Sequence, residues 1–150
     1  AMPVGTSYGP IFTGKPNTID WSMSCWLNTA TNTGQMAINL MGGVQGAGLR
    51  RTSTTLRLSL NSADQEIVKD SNVLISGWHH CVATGKSGIA KFYVDNVLVG
   101  SIAINDVSDS DFGSFNMQGH IDEAAYYTRA LNTLEIAALY NNGDGFDPTA

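Results

Sequence analysis

Cysteine and charge are both scarce in this chain. Two cysteines in 150 residues, Cys25 and Cys81, allow one disulfide or two free thiols. Charged residues make up 14% of the sequence, with 8 basic against 13 acidic and a formal net charge of −5. No basic cluster is longer than Arg50-Arg51, so a nucleic-acid phosphate backbone is not an expected partner. An acidic balance also disfavours anionic membrane surfaces. No apolar run approaches the ~20 residues of a spanning helix, so membrane insertion is not expected. Ala1-Met2-Pro3 lacks a charged n-region and an apolar h-region, and no signal peptide is visible. Internal repeats, linkers and low-complexity tracts are missing too, which makes residues 1–150 one domain by expectation.

What is present suits strands. Hydrophobic residues form 43% of the chain, enough for one buried core, and 16 glycines accompany many Ser, Thr and Asn residues. Residues 19–28 alternate strictly, with Trp21, Met23, Cys25 and Leu27 on one face and Ser22, Ser24 and Trp26 on the other, the period of a half-buried strand. Ile11-Phe12 is a candidate short strand. Gln35–Met41 reads as a strand stopped by Gly42-Gly43, and Leu49–Leu60 as the next, with Leu56, Leu58 and Leu60 on one face. Glu66–Val68 and Asn72–Ile75 are short strands or edges. Trp78–Thr84 and Lys91–Val99 form a hairpin across Gly85-Lys86-Ser87-Gly88, with a turn at Asp95-Asn96 where Asn tolerates a left-handed backbone. Gly100–Ile104, Phe112–Phe115 and Gly119–Tyr127 continue the strands. One helix follows: Asn132 caps it, Glu135 completes the capping-box spacing and Gly143 can end it.

Two linked segments carry a family likeness. Trp78-His79-His80-Cys81-Val82-Ala83-Thr84 leads into Phe92-Tyr93-Val94-Asp95-Asn96. Gly119-His120-Ile121-Asp122-Glu123 leads through Tyr126-Tyr127-Thr128-Arg129-Ala130-Leu131 to the helix. This order resembles the laminin G-like group of concanavalin A-like sandwiches, over residues 19–143 and most strongly over residues 78–140. The resemblance implies an all-β, two-sheet antiparallel jelly-roll sandwich with one short C-terminal helix. It also implies a non-catalytic module that recognises sugars or proteins at an extracellular, cell-surface or virion-associated location. Pentraxins, distant relatives in this fold group, bridge a cysteine of the early strand to one in a W-x-H-x-C segment. Here Cys81 comes one residue early, and a one-position shift turns a side chain to the other face. Two buried free thiols are therefore favoured over a bridge. The family's early "a-l-x-F-d-G" strand has only Tyr8–Gly14 as counterpart, without the Asp.

Catalysis finds little support in the pattern. Retaining glycosidases need two carboxylates about 5–5.5 Å apart, which on a strand means same-face spacing. There is no E-x-D-x-E run, and the consecutive Asp122 and Glu123 should point to opposite faces. Asp64 and Glu66 have the spacing but sit in a polar stretch that reads as solvated loop. Arg57, His79, His80 and Tyr93 form no lyase motif.

The acidic loop from Asn105 to Asp111 places oxygen donors at alternate positions, the hard ligands Ca²⁺ takes. Pentraxins hold calcium with an acidic segment at a comparable place. Calcium at Asp106, Asp109 and Asp111 is one expectation, and a plain exposed turn is the other. Asn141–Asp147 is a second acidic segment that reads first as a helix stop. For sugar recognition, flat aromatics stack on pyranose C–H groups while Asn, Asp and Arg take hydroxyls. Trp26 is the leading residue, with Asn39, Arg57, Tyr93 and Tyr127 as companions on one concave face. Trp21 and Trp78 read as core or hairpin-packing residues. A glycan or polysaccharide is thus the expected partner. The competing class is a structural or adhesion module of a viral fibre, capsid decoration or adhesin, whose partners are protein subunits.

Overall fold

Alternation along one long strand sets the layers. The computed structural model describes residues 20–28, 35–41, 47–51, 55–60, 65–70, 77–104, 111–113 and 120–145. They form β1 (Trp21–Asn28), β2 (Gln35–Met41), β3 (Ala47–Arg51), β4 (Thr55–Leu60), β5 (Gln65–Asp70), β6 (Trp78–Lys86), β7 (Ile89–Val94), β8 (Val97–Ala103), β9 (Asp111–Gly113), β10 (His120–Tyr127) and α1 (Thr133–Tyr140). Two five-stranded sheets result, ordered β10-β1-β6-β7-β8 and β5-β4-β3-β2-β9, with every pairing antiparallel. This is the two-sheet sandwich with one short C-terminal helix that the sequence pattern implies.

The core lies between the sheets. Trp21, Met23, Cys25 and Leu27 of β1 meet Cys81 and Ala83 of β6 and Ala90, Phe92 and Val94 of β7. From the second sheet come Leu49, Leu56, Leu58, Leu60 and Ile67. Close packing leaves no room at Gly85, where a Cβ would overlap the Trp21 indole. β1 is buried on both faces rather than one, because α1 lies over the face away from the core.

Several boundaries differ from expectation. Leu49–Leu60 is not one strand: β3 and β4 pair antiparallel, Leu49 opposite Leu58 and Ala47 opposite Leu60. β6 and β7 turn tightly at Ser87-Gly88, and β7 and β8 at Asp95-Asn96, both at positive φ (49° and 64°) as the Asn implied. The capping box is fully formed: Asn132 Oδ1 accepts from Leu134 and Glu135 N, and Glu135 accepts from Asn132 N. The helix ends earlier than Gly143, at a left-handed Asn141 followed by a 3-10 turn through Gly143. The expected strands Ile11-Phe12 and Asn72–Ile75 fall outside the described residues.

Both thiols are free and buried. The expected opposition of their side chains is corrected, since Cys25 and Cys81 are direct partners across β1 and β6 and both face the core. The outward positions of β6 are its even residues, Trp78 to Thr84, so the cysteine directly after His80 necessarily points inward.

Candidate functional site

The face of the first sheet turned away from the core carries the chemistry. Reading across strands, Tyr127, Ser22 and Thr84 form one row, and Asp122, Trp26 and His80 another. His120, Asn28 and Trp78 end the face. α1 and the segment before it cover the middle of it, Ile136 and Leu131 packing against Val82 and Tyr93, with Tyr127 and Leu139 alongside. Ser22 Oγ fastens the segment before the helix, donating to the Arg129 carbonyl at 2.9 Å and accepting from Leu131 N at 2.8 Å.

Beneath the helix end, aromatic rings stack. Trp26 lies 5.2 Å from His80 and 5.9 Å from Tyr140, centroid to centroid. Trp26 is therefore 6% exposed and packs as a wall, not as an open platform. Ser24 Oγ and His80 Nε2 share a 2.9 Å hydrogen bond. They resemble a nucleophile and base, but no acid orients the ring. Asp95 instead accepts from the His80 backbone N–H at 2.9 Å and pairs with His79 Nδ1 at 2.8 Å, while His80 Nδ1 has no partner. Burial pushes the His80 pKa down to about 4, with Asp95 opposing weakly. For Asp95, burial raises the pKa, and the hydrogen bonds from His79 and His80 more than offset it, leaving it below the usual carboxylate range.

Past the helix end the face stays open among the described residues. A cavity of about 190 Å³ lies there, lined by Trp26, Trp78, Asp122, Glu123, Gly143, Asp144 and Gly145. Trp78 is 44% exposed and leans toward His120, ring centroids 6.3 Å apart. Two carboxylates expected to diverge line the same cavity. The reason is a bulge: the β1–β10 register slips between Ser24 and Trp26, and Glu123 takes φ +49° inside β10. An extra residue breaks the strict alternation of side chains. Asp122 Oδ1 accepts from Glu123 N at 2.8 Å and braces the bulge.

Gly145 closes the cavity floor. Its carbonyl accepts from Asn141 Nδ2 at 2.9 Å, and its φ is +70°. A Cβ there would lie 2.9 and 3.3 Å from the two Glu123 carboxylate oxygens and 3.2 Å from Trp26 Nε1. An indole donor and a carboxylate thus converge beside Gly145, and Trp26 Nε1, itself buried, has no hydrogen-bond partner.

A second depression flanks the helix start, about 560 Å³, lined by Thr84, Lys86, Ile89, Lys91, Tyr93 and Asn132 among others. So of the residues singled out in the sequence, Trp26 walls the first cavity and Tyr93 floors the second, with Tyr127 half-buried under the helix between them. Arg57 is not with them. It lies in the other sheet, on β4, and binds Glu66 at 2.7 Å. Glu66 also accepts from Ser59. Asn39 belongs to that same second sheet, opposite Gly48. The single concave face expected of all five is therefore not formed. Asp111 opens β9 opposite Met41, while Asp106, Asp109 and Asp64 lie outside the described residues. Among the described residues no group of three His, Cys, Asp or Glu is placed to hold one metal ion.

The sequence reading places Trp78 in core or hairpin packing and Asp122 and Glu123 on opposite faces, whereas Trp78 is exposed and all three line one cavity. Trp78 shares the parity of His80 in β6, a signal that was available. The bulge leaves no mark in residue type.

A family model described as the concanavalin A-like lectin/glucanases superfamily, of laminin G type, matches residues 6–137. Among solved structures, the receptor-binding domain of botulinum neurotoxin D superposes with a TM-score of 0.72 at 15% identity, over 94% of this chain and 42% of that one. The binding domain of botulinum neurotoxin DC, solved with rat synaptotagmin II, gives 0.69 at 16%, over 84% and 36%. A botulinum neurotoxin type C structure, whose cell entry depends on two ganglioside molecules, gives 0.65 at 17%, over 83% and 36%. The chain thus spans well under half of each neighbour, and the likeness at this identity is one of fold. No curated protein is matched by sequence.

Proposed function

The chain belongs to the concanavalin A-like lectin/glucanases superfamily, and from that premise we propose that it is a non-catalytic carbohydrate-recognition module acting outside the cell or on a surface. The observation that carries this reading is the exposed Trp78 indole beside three carboxyl groups, in a cavity the helix leaves uncovered. An indole face offers C–H stacking to a pyranose, and carboxylates accept its hydroxyls, which is how a small polar ligand is held without chemistry. The cavity has room for one sugar ring. A neurotoxin neighbour whose cell entry depends on gangliosides and another solved with SialylT support a glycan partner, and the one with synaptotagmin II supports a protein partner as the second reading. Calcium at Asp106, Asp109 and Asp111 belongs to the same proposal, on the chemistry of their oxygen donors alone.

A glycan array, run with calcium and with chelator on the wild type and on Trp78→Ala, tests it. Binding by the wild type that the substitution removes supports the reading. Loss of that binding in chelator supports the calcium ligands, and equal binding discards them. Silence of the wild type across the array overturns the carbohydrate reading in favour of a protein partner.

A further inference from the structure

The depression at the helix start carries a site of its own. β6 and β7 turn Thr84, Lys86, Ile89, Lys91 and Tyr93 onto one face, with Lys86 opposite Ile89 and Thr84 opposite Lys91. The two lysines are thus diagonal neighbours, about 7–8 Å apart and within reach of one shared group. Both are exposed, and neither forms an ion pair or hydrogen bond among the described residues. Two carboxylates adjoin the lining, and both are engaged: Asp20 accepts from Ser87 N at 3.2 Å, and Glu135 pairs with Arg129. The second observation is a pair of buried hydroxyl residues, Thr84 at 5% and Tyr93 at 8% exposure. Both line the cavity, and neither has a hydrogen-bond partner among the described residues. A buried hydroxyl without a partner carries a desolvation cost that a ligand atom removes. Burial raises the Tyr93 pKa, so this hydroxyl stays protonated and can donate.

These groups specify a ligand with a negative charge on a hydroxyl-bearing body. Tetrahedral anions take backbone N–H groups where a helix start leaves them free. Here Asn132 Oδ1 already holds the amides of Leu134 and Glu135. What remains is two ammonium groups for a two-oxygen acid and two hydroxyls for ring hydroxyls, with the exposed Ile89 as an apolar wall. Resting on the carbohydrate reading above, we infer that this depression binds a sugar whose charge is a ring carboxylate, a uronic acid. The carboxylate bridges Lys86 and Lys91 Nζ, and ring hydroxyls pair with Thr84 and Tyr93. A fatty acid would leave both buried hydroxyls unsatisfied, and a neutral sugar would leave both ammonium groups without a counter-charge.

Calorimetry with short galacturonate, glucuronate and mannuronate oligomers, each against its methyl ester, tests the inference, because esterification removes the charge and keeps the ring. The expected result is at least one uronate bound about tenfold tighter than its ester, the scale of one charge-assisted hydrogen bond. That preference should shrink as salt is raised and disappear in the Lys86→Gln, Lys91→Gln double variant. Tyr93→Phe keeps the ring packing and both charges, and should weaken acid and ester alike. Arg57→Gln removes one charge from the other sheet, so an equal loss there would mean diffuse attraction and overturn the site. Acid and ester bound equally, or neither bound while an array shows neutral glycans, overturns the carboxylate and leaves the carbohydrate reading standing. A sulfated oligomer that binds tighter than every uronate overturns it in favour of a tetrahedral anion. Competition by hexaglutamate at equal concentration overturns the sugar class in favour of an acidic peptide. Failure of every uronate, alongside silence on the array, removes the carbohydrate reading itself.

Discussion

His80 shows what a single buried group does. It is 1% exposed, and its pKa falls from 6.5 to about 4 because burial penalises the charged ring. A folded pKa below the unfolded one means the unfolded chain binds the extra proton. Stability is therefore full above pH 6.5 and falls as the pH drops toward 4, by about 3 kcal/mol for this group. Asp95, also held below its ordinary range, acts in the same direction at lower pH. Denaturant melts at pH 7 and pH 4.5 should show the loss, and His80→Gln should flatten the slope between them. A slope that the substitution leaves unchanged would assign the acid sensitivity elsewhere. Cys25 and Cys81 make a second prediction at this scale. Burial raises both thiols far above their usual range, so a thiol reagent should count none in the native protein and two after unfolding.

At the scale of elements, α1 is the piece on which the site depends. It is eight residues long, too short to be stable alone. Its cap and its buried Ile136 stabilise it by different amounts. Asn132→Ala removes two hydrogen bonds from an exposed cap and should cost about 1 kcal/mol. Ile136→Ala opens a hole against Val82 and Tyr93 and should cost about 2–5 kcal/mol. Urea melts rank the two, and the reverse order would mean the helix is held by its cap rather than its packing. The Arg129–Glu135 pair is surface-exposed and contributes little. The bulge in β10 is the other decisive element. Glu123 sits at φ +49°, a region in which an L residue is strained. Glu123→Gly should relieve that strain, matching or raising the melting temperature while weakening any ligand the cleft holds.

For the whole molecule, the sandwich joins strands far apart in sequence: β1 pairs with β6 and β10, and β2 with β9. Such pairing makes folding slow relative to helical proteins of this size, with a time constant in the millisecond-to-second range expected by stopped-flow fluorescence of the buried Trp21. Its helix separates, on one sheet face, a depression lined by Asp122, Glu123 and Asp144 from one lined by Lys86 and Lys91. The second sheet carries its own ion pair at Arg57 and Glu66, and that pair cannot cooperate with groups on the opposite side of the core.

Sequence by itself determined the layers. Alternation at Trp21–Leu27 marked a strand because a pleated backbone sends successive side chains to opposite faces. Asn96 marked a turn and Asn132 with Glu135 a helix start because those side chains satisfy local backbone geometry. All of these signals act within a few residues. Only the tertiary structure decided that Trp26 is roofed by Tyr140, that Arg57 lies on the far sheet, and that Cys25 faces Cys81. It also decided that Asp122 and Glu123 line one cavity. Each depends on register between segments distant in sequence, and register is fixed by the packing of the whole sandwich rather than by the residues at the site.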